Sequence, residues 1–189
     1  MLGLVHEAIA RAHFFVATGQ LDPTRRDDEI RIIRHAYEQA SELGNPNLLG
    51  AGAMALGRAL CTVDLDAAQP YLEQAAAVTA PLGLALLSGQ CSCALAELHT
   101  RANRPTDALV VLGAALRLHL SAGDIADVII DLSSCVAPLR QVGQSALADA
   151  VADAIGRTGP ERGSTPRRIS VITSTVLAHI ELIAPPDGS

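Results

Sequence analysis

The sequence predicts an all-α protein, an α-solenoid of about four helix-turn-helix repeats of ~40 residues with a C-terminal capping helix. Three observations predict it. Of the 189 residues, 33 are Ala and 26 are Leu, the strongest helix formers. Aromatics are confined to Phe14, Phe15, Tyr37 and Tyr71, with no Trp, so the interior must be built from small and aliphatic side chains on closely approaching backbones. Gly44, Gly83, Gly123 and Gly159 each end an apolar periodic segment, at separations of 39, 40 and 36 residues. A helix often stops at a left-handed residue, which glycine adopts without steric cost.

Second breaks fall between those glycines, at Asp64-Leu65-Asp66, Asn103-Arg104-Pro105 and Gly143-Gln144-Ser145, so each unit divides into two helices. Helices are expected at 5–18, 27–43, 48–62, 66–82, 84–102, 106–121, 125–141, 145–157 and 166–183. Their starts carry side chains suited to capping exposed amides: Asn45-Pro46-Asn47, Asp64 to Asp66, Thr106 with Asp107, Asp124, Ser145, and Ser164 before Pro166. Residues 1–159 form the repeat domain and 160–168 a linker, followed by a helix at 169–184 and a tail at 185–189. In that last helix Ile169, Ile172, Val176, Ile180 and Ile183 recur at three-and-four spacing. Such a stripe either covers the preceding hairpin or joins two copies of the chain as a homodimer.

Within the third unit Leu95, Ala96 and His99 are followed by Ala108, Leu112 and Ala115; the second unit matches with Leu56, Gly57, Leu60, Ala68, Leu72 and Ala75. The first unit keeps the second-helix half, Ile33, Tyr37 and Ala40. This pattern resembles the tetratricopeptide repeat (TPR) family, and the resemblance implies a right-handed solenoid. Small residues at Gly57, Ala68, Ala96 and Ala108 should let the helices of a pair approach, with Leu60, Leu72, His99 and Leu112 filling the gaps between pairs. Glu42 to Pro46, Ala55 to Leu60 and Arg104 to Leu109 are also similar to the repeat regions of large actinobacterial ATP-dependent transcriptional regulators of the LuxR type.

Charge and composition exclude several functions. All fourteen cationic residues are Arg against twenty carboxylates, a net charge of −6, which disfavours direct nucleic-acid binding. Without Lys there is no phosphate-loop lysine, Schiff base or Lys general base. No apolar run suits a membrane span, and the N-terminus lacks signal-peptide order, so a cytoplasmic protein is expected. Cys61, Cys91, Cys93 and Cys135 lie among apolar neighbours without framework spacing, as reduced thiols do.

Familiar catalytic patterns fail. His6-Glu7 is followed by Ala10 where a zinc protease needs its second His. Cys91 and Cys93 diverge by about 200° on a helix and cannot share a metal from one face. Gly143-Gln144-Ser145-Ala146-Leu147 lacks the last glycine of a nucleophile elbow. Gly50, Gly52 and Gly57 belong to a helix, where they permit close contact, and follow no strand as a dinucleotide loop would. Six dispersed histidines show no ligand spacing, and His99 is expected to be structural. Arg25 to Glu29 reads as a solvated helix start. No enzyme activity, metal or cofactor is expected.

The TPR resemblance implies a concave groove lined by first helices, which would receive a protein or peptide ligand. Its positions map to Ala51, Met54 and Arg58, then to Gln90, Cys93, Glu97 and Arg101, and in the fourth unit to Asp127, Ile130 and Ser134. Arg58 and Arg101 would serve carboxylates. Ala51 and Met54 replace the polar groups a chaperone-tail clamp requires. The expected function is therefore recognition, as the sensor region of a signalling or transcriptional regulator or, alternatively, as a free-standing adaptor.

Overall fold

A computed structural model of the chain describes residues 26–83, 85–157 and 165–183. The expected helix at 5–18, the Gly159 stop and the Ser164 cap lie outside them. The described residues are all-helical. They form α1 (Arg26–Glu42), α2 (Pro46–Leu60), α3 (Leu65–Thr79) with a 3₁₀ turn at Ala80–Leu82, α4 (Ala85–Arg101), α5 (Pro105–Ala122), α6 (Ile125–Gln141), α7 (Ser145–Gly156) and α8 (Thr165–Ile183). No helix among them is long and apolar enough to cross a membrane.

The stops are those the glycine spacing implied. Gly83 and Gly123 close their helices at φ +67° and +74°, and the Gly123 amide donates back to Leu120 O. Asn103, the one non-glycine at positive φ among the described residues, makes the break before Pro105. Starts divide into two kinds. Asn45 accepts from the amides of Asn47 and Leu48, Asp64 from Ala67 and Asp124 from Asp127. Thr106, Asp107 and Ser145 do not cap: α5 begins two residues earlier than a Thr106 cap requires and α7 one residue earlier than a Ser145 cap requires, behind Arg104 and Gln144, which make no side-chain cap. Pro105 explains the first case, because its ring is suited to the opening helical turn and has no amide to satisfy.

The chain divides into two compact units, Met1–Leu98 and His99–Ser189, with the boundary inside α4. In the first unit α2 packs against α1 and α3. Its middle is buried on nearly every face, from Gly52 through Gly57 and again at Ala59 and Leu60. Such a helix needs small residues. A Cβ on Gly57 would lie 2.6 Å from Leu72 Cγ and 3.3 Å from its backbone nitrogen, and one on Gly50 would run into Thr79 Cγ2. Leu72, expected between pairs, thus sits against Gly57 within its own pair. Across the unit Tyr37 and Tyr71 meet edge to face, centroids 5.2 Å apart, and the Tyr37 hydroxyl donates to Gln74 Oε1 at 2.8 Å.

In the second unit α6 packs on α5 and α7, while α8 touches all three. Ile169, Thr173, Val176 and Ile180 of α8 are buried within this unit. Ile180 approaches Gly113 of α5, and Arg117 pairs with Glu181 at 3.0 Å beside it. The return to α5 is closer than covering the last pair alone would require. Ile172 and Ile183 of the expected stripe are half-buried, and Val171 and Leu182 lie exposed.

Gly57→Ala is expected to lower stability by about 1 kcal/mol or more in urea denaturation, because overpacking against fully buried Leu72 outweighs the gain in helix propensity. Gly156→Ala, with nothing within 4 Å of its added methyl, is expected to leave stability unchanged or raise it.

Candidate functional site

The groove positions do not share one environment. Met54 is only 1% exposed and cannot line an open surface. Its Sδ lies 3.8 Å from Cys91 Sγ, so the residue belongs to the contact between α2 and α4. The reason is the small-residue surface of α2, which draws neighbours onto every side and leaves its longest apolar side chain enclosed. Ala51 and Arg58 of α2 are half-buried, as are Gln90 and Cys93 of α4, while Glu97 is exposed. Arg101 is exposed and belongs to the second unit.

Arg58 stands out chemically. Its Nε is buried and has no hydrogen-bond partner among the described residues. The guanidinium is close enough to Cys91 to favour its thiolate electrostatically. Burial dominates there nonetheless, pushing the Cys91 thiol up to about 11, against the lowering effects of a Thr79 hydrogen bond and Arg58. A buried N–H without an acceptor is costly, and a carboxylate or phosphate oxygen is the acceptor it suits best.

In the fourth-unit set Ile130 and Ser134 are exposed, and the Ser134 hydroxyl turns back to Ile130 O. Asp127 faces inward instead. It belongs to a polar cluster with no sequence signature in histidine spacing alone. His119, in the last turn of α5, has its Nδ1 2.7 Å from Asp131 Oδ2, and its Nε2 lies 3.8 Å from Asp127 Oδ2. Both side chains of the short pair are almost fully buried, at 2% and 1% exposure. A carboxylate only accepts, so Nδ1–H donates to Asp131. The available signal was the four-residue spacing of Asp127 and Asp131, which places both on one face of α6. The arrangement fastens the end of α5 to the first two turns of α6.

None of Cys61, Cys91, Cys93 and Cys135 is joined in a disulfide. Cys135, one turn beyond Asp131, is pushed up to about 12 by burial and then by that carboxylate. Among the described residues no group of His, Cys, Asp and Glu could hold a metal ion. His99 is buried in the second unit, as its packing position implied. No protein-family model, curated protein or solved structure matches this chain.

Asp131→Ala leaves the His119 donor buried without its acceptor, and urea denaturation is expected to show a loss of about 1–3 kcal/mol. The thiols give a second expectation. Iodoacetamide at pH 8 should leave Cys91 and Cys135 unmodified in the folded protein and alkylate all four cysteines in denaturant, as read by mass spectrometry. Above pH 9 the unfolded chain sheds thiol protons that folded Cys91 and Cys135 keep until about 11 and 12, so stability should fall as pH rises through that window.

Proposed function

We propose that this chain is a non-enzymatic recognition module, a TPR-like solenoid of about four repeats that acts as the sensor region of a signalling or transcriptional regulator. The observation that carries the reading is Arg58, a half-buried arginine whose enclosed Nε has no hydrogen-bond partner among the described residues. An acidic peptide segment answers that charge: its carboxylate pairs with half-buried Arg58, and the half-buried Ala51, Gln90 and Cys93 are further positions for it to meet. The ~40-residue recurrence of helix stops supports the repeat reading. Binding at Arg58 bears on α2, whose Met54 rests against Cys91 of α4, so occupancy favours one packing of those helices over another and passes to whatever adjoins them.

Selection from a random peptide display library tests the reading. Recovered peptides should be enriched in Asp and Glu, and Arg58→Ala should weaken them about 10–100-fold, the worth of one charge-assisted hydrogen bond. Recovery of no acidic consensus, or equal binding by the variant, would overturn it. A phosphate loop or DNA-binding helix-turn-helix in the adjoining coding sequence would support the regulator assignment.

A further inference from the structure

A second candidate site lies in the other unit. Between α7 and α8 is a cleft of about 610 Å³, within the range of small-molecule sites. Three guanidiniums line it, from Arg157 at the end of α7 and from Arg167 and Arg168 at the start of α8. Asp153 lines it too and forms an ion pair with Arg157. Arg167 and Arg168 make no hydrogen bond or ion pair among the described residues. Val171 and Ile172 supply an apolar wall, and Val171 is 63% exposed.

Two features set this cluster apart from ordinary surface charge. The protein carries a net charge of −6, yet here three cations converge on one cleft with a single carboxylate. Arg167 and Arg168 also occupy the first turn of α8, which contains no acidic residue. The positive end of a helix dipole repels cations and favours anions, so two arginines there are placed against the field unless an anion joins them. A multiply charged oxyanion satisfies both the guanidiniums and the dipole, and phosphate matches the planar guanidinium fork.

We propose that the α7–α8 cleft binds a small phosphorylated molecule, its phosphate held by Arg167 and Arg168 and its apolar body lying along Val171 and Ile172. Asp153 tunes the site by occupying Arg157. The site is independent of Arg58 and of the peptide reading.

Inorganic pyrophosphate is the probe, titrated into the full chain by calorimetry at constant ionic strength. The wild type should bind saturably, and Arg167→Ala with Arg168→Ala should weaken binding at least tenfold. Asp153→Asn should tighten it several-fold by releasing Arg157, a gain that a folding defect cannot imitate. Arg140→Ala, which removes an exposed guanidinium elsewhere in the unit, and Arg58→Ala should bind as the wild type does. Absence of saturable binding, undiminished binding by the double variant, no gain from Asp153→Asn, or equal weakening by Arg140→Ala would each overturn the proposal.

Discussion

The bare Cα of Gly57 against Leu72 is the contact on which the first unit depends. With so few aromatic side chains, this protein cannot fill wide spaces between helices, so the helices must come close. Where they do, an added Cβ has no room unless a neighbour shifts, at Gly57 against Leu72 and at Gly50 against Thr79, and at Gly113 in the second unit it would press on Ile180 at 3.3 Å. Close approach places many weak dispersion contacts at short range, and so compensates for the small size of each buried group. It also makes the interfaces intolerant of added volume. Enclosure of Met54 follows from the same constraint, since a helix approached from every side leaves little surface open.

Polar groups within this tight framework fall into two kinds. Some are satisfied where they stand: the Thr79 hydroxyl donates to Ala75 O at 2.8 Å, the Thr173 hydroxyl to Ile169 O at 2.7 Å, and the Nδ1–H of His119 to Asp131. These bonds fix side-chain orientation in a core whose apolar residues are otherwise similar in size. Others, such as Arg58 Nε, are buried with no hydrogen-bond partner among the described residues.

The arginines divide in the same way. Arg31, Arg117, Arg140 and Arg157 sit in exposed ion pairs, which contribute little to stability because solvent screens them. Arg58, Arg167 and Arg168 form no ion pair with a carboxylate among the described residues. Counting charges could not separate these groups, although the choice of Arg over Lys at every cationic position supplies each with a fork suited to oxyanions.

By itself the sequence determined the all-helical class and, among the described residues, the order of the helices and their limits to within about three residues, because local chemistry governs these. Glycine tolerates the left-handed stop, and Asn45, Asp64 and Asp124 cap the amides beside them. The spacing of apolar residues marks which face is buried, as it did for Ile169, Val176 and Ile180. Tertiary structure alone decided which of the expected groove positions are accessible, enclosing Met54 and turning Asp127 inward while leaving Arg58 Nε without an acceptor among the described residues. It also joined His119 to Asp131 and gathered Arg157 of α7 with Arg167 and Arg168 of α8. Such pairings depend on the rotation and separation of whole helices, and those are set by packing summed over many residues, whereas a stop or a cap is set by its immediate neighbours.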